Sequence, residues 1–528
     1  MVAVRPALED DMVDGPIAET RAGKIRGAMN DGINVFKGVR YGEDTFTTRF
    51  AAPQPAAPWT GVRDALQYGA SAPQAVSGDG GGLFASWRPK PPLPTSEDCL
   101  FLNVWTPGLR DGSKRPIMVW LHGGGFVTGS GSSNAYEGTR LARRGDVVVI
   151  TINHRLNSFG HLYLGEYGES FADSGNAGIL DIVLALRWVR DHAAEFGGDA
   201  DNVTIFGESG GGAKVSVLMG MDSAQGLFHR GIVQSGPWLR VTPEDVAAQA
   251  AARVIEQLGL TRDTIDQIRS LPLEQIQTAV ATASQPGAVG IATGPVLDGR
   301  NIARHPFYPD AAPQGRQVPM LIGTCRTETS LLEGAAAPQL FALTWESLPK
   351  RLAPWLQGLD VDAVIAQYRK LHPSYAPAAT YFTITTDCGF YRSSVAEANR
   401  KAEQGGAPVY FYLLDWETPV QGGKYLVPHA LDIGFVFDNV ARSESMSGIG
   451  PEQQQLADSM SEAWLAFARS GDPNHAGLPN WPKYDASTKA TMIFDVASHV
   501  VNDPRAAERD LFRPPAAPVA AAELGSSG

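Results

Sequence analysis

Val203-Thr204-Ile205-Phe206-Gly207-Glu208-Ser209-Gly210-Gly211 reads as a buried strand running into a tight turn. The β-branched and aromatic residues 203–206 suit a strand covered on both faces. Gly212 to Met219 can continue as a helix. The pattern G-x-S-x-G therefore sits at a strand-to-helix turn, where a serine is held in strained backbone and projects its hydroxyl above a sheet. The flanking glycines leave space where a Cβ would strike the strand or the helix. Alone, the motif is weak: the chain holds 57 glycines in 528 residues, and a glycine-rich turn that contains a serine is the plainer reading.

Outward from this turn the chain alternates strand and helix. Cys99 to Trp105, Ile117 to Leu121 and Val147 to Ile152 precede it as strands. The last two are near-continuous apolar runs, as expected inside a largely parallel sheet. Gly178 to Phe196 carries Ile179, Ile182, Val183, Leu186 and Val189 at helical spacing, and Gly231 to Gln234 is a further strand. This alternation implies a doubly wound α/β sheet. Strand patterns return at Pro319 to Gly323 and Val409 to Leu414, and Glu452 to Ala468 is a closing helix ended near Gly471-Asp472-Pro473. Between them lie amphipathic helices, Val246 to Leu258 among them, and an aromatic-rich helical block from Thr344 to Arg400. We expect insertions around 242–290 and 330–405 to form a cap over the carboxyl edge of the sheet, where ligands bind in open α/β folds. Ile25 to Gly38 predicts an antiparallel hairpin. The Gly/Pro-rich segment Ser77 to Thr95, with Phe84 and Trp87 inside it, is long for a loop that covers nothing. One domain over 17–510 is expected, with flexible tails at 1–16 and 514–528.

The net charge of −12 argues against nucleic acid and against an anionic membrane surface as partners. The acidity is spread along the chain, which also serves solubility. Cys99, Cys325 and Cys388 form neither a disulfide framework nor a zinc pattern. No run reaches membrane-spanning length. Met1 to Thr20 holds Glu9, Asp10, Asp11 and Asp14 and no apolar core, so a secretory signal is not expected as written, although a trimmed one stays open. A cytoplasmic location is the expectation.

A nucleophilic serine needs a base, an acid to orient the base, and donors for an oxyanion. His122-Gly123-Gly124-Gly125-Phe126 directly follows the Ile117 strand, and its glycines present backbone N–H groups unobstructed. Such a loop forms one half of an oxyanion hole, and the N–H after the nucleophile, here Gly210, forms the other. Gly124, Gly125 and Gly210 are the candidate donors.

The sequence resembles the type-B carboxylesterases, the α/β-hydrolase family that also contains the cholinesterases, in its bacterial form. Phe196-Gly197-Gly198, followed by Val203 to Gly211, is similar to the family's serine signature. Glu97-Asp98-Cys99-Leu100-Phe101-Leu102-Asn103-Val104-Trp105-Thr106-Pro107 is similar to its second signature. Phe36-Lys37-Gly38-Val39, Gly175-Asn176-Ala177-Gly178, Gly294-Pro295-Val296-Leu297-Asp298-Gly299 and Phe467-Ala468-Arg469-Ser470-Gly471-Asp472-Pro473-Asn474 also fit, and the likeness runs from about residue 17 to about 500. It implies an α/β-hydrolase fold and a serine carboxylester hydrolase acting on small to medium esters through an acyl-enzyme. No metal or organic cofactor is implied. Amide, carbamate or lactone hydrolysis by the same residues is the alternative, and a non-catalytic binding module a remoter one. Monomer and dimer stay open.

The resemblance also assigns roles. The family order is Ser, Glu, His, and Leu321-Ile322-Gly323-Thr324-Cys325-Arg326-Thr327-Glu328 places the acid at Glu328, with Thr327 where relatives usually have Asp. Pro428-His429-Ala430-Leu431-Asp432-Ile433-Gly434-Phe435 resembles the family's histidine loop, so His429 is the expected base among ten histidines, and Asp432 the rival acid. Ser209, Glu328 and His429 are the expected catalytic residues. Gly210 stands where the family often has Ala, and the missing methyl is expected to loosen the turn. Arg49 and Glu97 match a family ion pair with a structural role. Ser235 matches a serine kept near the triad. Ala72 stands where secreted relatives pair a cysteine with the one at Cys99, which fits a free thiol and a reducing compartment. Phe126, Glu208, Trp238, Phe390 and Phe435 are candidate substrate contacts, with Trp87 a further wall.

Overall fold

A computed structural model of the protein describes residues 15–75, 82–284 and 294–512. The predicted tail 514–528, most of the tail 1–16, residues 77–81 of the long loop and the end of the first insertion, 285–290, lie outside the described residues.

The near-continuous apolar runs become the inner strands of an eleven-stranded sheet. From one edge its order is His499–Asn502, Ala490–Phe494, Val409–Leu414, Met320–Cys325, Arg230–Gln234, Gly198–Glu208, Arg115–Leu121, Val148–Ile152, Phe101–Thr106, Ile33–Arg40 and Ala28–Asn30. The strands from Ala490–Phe494 to Val148–Ile152 run parallel, and the outer pairings are antiparallel. Every residue of Val148–Ile152, Met320–Cys325 and Val409–Leu414 is buried, because helices cover both faces. The helix expected over 178–196 spans Ala177–His192, and the one after the serine turn spans Gly210–Leu218. Pro451–Ser470 starts with proline in its first turn and stops at Gly471, which adopts the left-handed cap conformation at φ 79°.

The hairpin is shorter than its sequence pattern suggests. Ala28–Asn30 pairs with Ile33–Arg40, whereas Lys24–Arg26 pairs with Ile17–Glu19 and Val62–Asp64 in a separate three-stranded sheet. Alternation alone does not tell which partner a short strand takes, and here the chain changes sheets at Gly27.

The inserted helices carry apolar clusters of their own. Glu244–Gln257 and Leu273–Ala283 pack Val254, Ile255, Ile276 and Ala279 with Phe50, Phe159 and Leu162. Val361–Leu371 and Pro377–Thr386 pack Ile365, Tyr368 and Phe382 around Leu348 and Leu352. The Arg49–Glu97 ion pair is buried, and Arg49 Nη1 also donates to the carbonyls of Arg269 (3.2 Å) and Leu271 (2.5 Å). The guanidinium thus ties the N-terminal region and the base of the long loop to the first insertion. Among the described residues, no helix is long and apolar enough to cross a membrane.

Candidate active site

Ser209, the His122 loop and Glu328 follow the carboxyl ends of three parallel strands, Gly198–Glu208, Arg115–Leu121 and Met320–Cys325. Ligands of open α/β folds bind outside that edge. Ser209 has φ 56° and ψ −126°, backbone that side chains rarely adopt. Two bonds hold it there: its N–H donates to Gln234 O (2.8 Å) and its carbonyl accepts from Ala213 N (3.0 Å).

The glycine loop lies on this turn. Gly124 and Gly125 have φ 88° and 59°, and the Gly124 carbonyl accepts from Val127 N and Thr128 N. The N–H groups of Gly124 and Gly125 have no backbone acceptor among the described residues. A Cβ on Gly210 would stand 2.6 Å from Gly125 N and 3.2 Å from Phe126 N. The absent methyl therefore does not loosen the turn as expected; it lets the glycine loop close onto it.

Glu328 is fully buried and turns both oxygens to donors. Its Oε1 accepts from Cys325 N (2.7 Å) and its Oε2 from His429 Nδ1 (2.6 Å). Asp432, the rival acid, is engaged elsewhere: Oδ2 accepts from Tyr412 OH (2.7 Å) and Gln234 Nε2 (3.0 Å). Burial raises Asp432 from 3.8 to about 6.

The other ring nitrogen of His429 lies 3.0 Å from Glu208 Oε1 without the alignment of a hydrogen bond, so Nε2 has no hydrogen-bond partner among the described residues. Burial lowers the His429 imidazole, but Glu208 and Glu328 outweigh it and raise the group from 6.5 to about 9. Burial raises Glu208 to about 8, His429 opposing. The charge of each group favours the ionised form of the other across this contact. Glu208→Gln is expected to lower the imidazole, since a negative neighbour is lost. The acid limb of a kcat/KM profile then moves to lower pH. A limb that stays in place would remove Glu208 from the electrostatics of His429.

Phe390 lies with its ring centroid 5.3 Å from that of His429. It sits in a π-helical turn, Asp387–Tyr391, between the helices Pro377–Thr386 and Arg392–Glu403. Phe126 and Trp238 pack edge to face at 5.5 Å beside the glycine loop. The structure does not bring Phe435 to the site. Phe435 is fully buried and packs against Trp416 at 5.6 Å, so it is core rather than substrate wall. An aromatic on a helix buried all round, Leu431–Val436, has no open side to offer. Trp87 packs on Phe84 and Tyr136. Ser235 is buried, and its hydroxyl has no partner among the described residues.

Two buried charged residues near the site escaped sequence reasoning. Lys214 lies on Gly210–Leu218, and Glu397 accepts from Ser216 Oγ (2.7 Å) and Trp238 N (2.8 Å). For Lys214 the signal was available, a lone charge in an apolar helix.

A sequence-family model described as the carboxylesterase family matches residues 14–512. The para-nitrobenzyl esterase of Bacillus subtilis (strain 168) is 34% identical over 504 residues, 94% of this chain and 98% of that protein. The phenmedipham hydrolase of Pseudarthrobacter oxydans is 34% identical over 513 residues, 95% of this chain and 98% of that protein. Among solved structures, the Geobacillus stearothermophilus carboxylesterase EST55 at pH 6.2 superposes with TM-score 0.80 at 39% identity, covering 94% of this chain and 100% of that one.

Proposed function

The chain belongs to the carboxylesterase family, and from that premise we propose that it hydrolyses small to medium carboxylic esters through Ser209, His429 and Glu328. The observation that carries this reading is the 2.6 Å bond between His429 Nδ1 and Glu328 Oε2 at the sheet edge that also holds the strained Ser209. In its neutral form, the minor one near pH 7, His429 Nε2 takes the proton of Ser209 Oγ as the oxygen attacks the ester carbonyl. Glu328 fixes the tautomer that leaves Nε2 free and stabilises the imidazolium that forms. The N–H groups of Gly124, Gly125 and Gly210 hold the oxyanion. His429 then protonates the departing alcohol, and water repeats the sequence on the acyl-enzyme.

Phe390 and Trp238, both partly exposed, supply apolar surface near the reacting atoms, with Phe126 buried behind Trp238, which suits an apolar acyl or alcohol group. The inserted helices Glu244–Gln257, Leu273–Ala283, Val361–Leu371 and Pro377–Thr386 act as the cap. Cys99 and Cys325 are buried and unpaired, which fits a reducing compartment and a cytoplasmic enzyme.

A panel of p-nitrophenyl esters of increasing acyl length, with the anilide matched to the best of them, tests the reading. The ester is expected to have much the higher kcat/KM, and the optimum acyl length reports the pocket. Equal ratios for ester and anilide would move the assignment to amide hydrolysis by the same residues.

A further inference from the structure

Every residue of the Gly210–Leu218 helix is buried, and one of them is a lysine. Lys214 Nζ donates to the carbonyl of His122 at 2.8 Å and lies 5.1 Å from the centroid of the Phe126 ring. His122 opens the glycine loop and Phe126 closes it, so the ammonium holds that loop from beneath at both ends. Among the described residues no carboxylate forms an ion pair with it, and burial lowers it from 10.5 to about 7. Three imidazoles share this interior. His122 and His154 stack at 4.9 Å, and His161 packs on Phe126 at 5.5 Å. Each turns Nδ1 to a backbone carbonyl, of Gly123, Arg155 and Gly175 respectively. Burial holds all three below 6.5, His122 and His161 at about 3. The imidazoles are therefore neutral near pH 7, and Lys214, about half protonated there and fully so at lower pH, is the one group of the four that carries positive charge.

A buried cation without a counter-charge is costly in the resting protein. An anion that forms nearby during reaction changes that balance, because charges interact strongly where water is excluded. Lys214 lies on the helix that Ser209 caps, about 7.5 Å along its axis from the serine at 1.5 Å per residue.

We propose that Lys214 is a positioning residue of the oxyanion hole: its ammonium clamps the His122 carbonyl, setting the N–H groups of Gly124 and Gly125, and its unpaired charge is balanced by the oxyanion they hold. This rests on the oxyanion reading of Gly124, Gly125 and Gly210 above. An ester in its ground state carries no such negative charge, so the contribution belongs to the transition state and acts on kcat rather than on KM.

The test is Lys214→Met, which keeps the length and removes the charge and the donor. It is assayed with a p-nitrophenyl ester, with a trifluoromethyl ketone and by thermal melting. The ketone adds Ser209 Oγ to its carbonyl carbon, passes the serine proton to His429 and leaves a hemiketal oxyanion in the loop. We expect kcat to fall about ten- to a hundredfold, less than loss of a direct donor, with KM within about twofold. The ketone's Ki rises by the same factor as kcat falls, and Tm is unchanged or higher because an unpaired buried charge has gone. A kcat within about threefold of the parent overturns the proposal. So does a fall in kcat that tracks a fall in Tm with ketone affinity unchanged, the mark of a lysine that only supports the fold. If Lys214→Met does not fold, Lys214→Ser is read by the same ratios, and failure of both variants to fold assigns a structural role and overturns the proposal as well. Ser209→Ala separates the two levels. Turnover surviving in that variant defeats the catalytic reading, whereas parental kcat in Lys214→Met beside a dead Ser209→Ala defeats this inference alone.

Discussion

Ser209→Ala is expected to lower kcat for a p-nitrophenyl ester by at least about 10⁴-fold, the scale on which serine enzymes respond to loss of the nucleophile. Fluorophosphonate labelling should disappear with it. The fold should remain, because Ser209 is held through its backbone, by the bonds to Gln234 O and from Ala213 N, and alanine keeps both. Alanine also carries the Cβ that serine already places at φ 56°, so no new backbone strain arises. Stability is expected within about 1 kcal/mol of the parent by urea denaturation. The pairing of lost turnover with retained stability is what identifies a nucleophile. A variant that still turns over the ester at a tenth of the parental rate would transfer the chemistry to another group.

What was legible in the sequence is what is local. The serine turn and the glycine loop are contiguous motifs beside readable strands, and strands buried on both faces declare themselves by continuous apolar runs. Glu328 and His429, the expected acid and base, lie 101 residues apart, and no spacing rule joins them. Only the resemblance to a family put Glu328 with His429 rather than Asp432, which sits three residues from the histidine but gives its carboxylate to Tyr412 and Gln234. Phe435 was misjudged for a physical reason: whether an aromatic lines a cavity or fills a core depends on what packs over it, and Trp416 does so from elsewhere in the chain. The π-helical turn that carries Phe390 left no mark, because periodicity over five residues does not separate it from an α-helix. The effect of Gly210 needed coordinates, since it is set by the distance to Gly125 N across the turn.

Glu328→Gln is expected to lower kcat/KM by about 10³–10⁴-fold, although it changes one atom of a buried side chain. Glu328 meets two donors, the Cys325 N–H at 2.7 Å and His429 Nδ1 at 2.6 Å, and a carboxylate accepts from both. A glutamine amide has one accepting and one donating end. With its oxygen on Cys325 N–H, its NH₂ faces Nδ1, and only an imidazole protonated on Nε2 accepts it. That tautomer cannot take the proton of Ser209. With the amide reversed, the imidazole keeps its useful tautomer but two donors confront each other at Cys325, at about 1–3 kcal/mol for the buried group left unsatisfied. The imidazolium of the transition state also loses the neighbouring charge that stabilises it. Either orientation costs activity, and the first costs less stability, so it should prevail. The variant is therefore expected to melt near the parental temperature and to label with a fluorophosphonate slowly, whereas Ser209→Ala does not label at all. The remaining activity should show its acid limb at lower pH, since one of the three carboxylates that raise His429 is gone. A loss smaller than about tenfold would mean that the acid is elsewhere. Asp432 would then be the group to replace, because it is the remaining buried carboxylate among those that raise His429 besides Glu208.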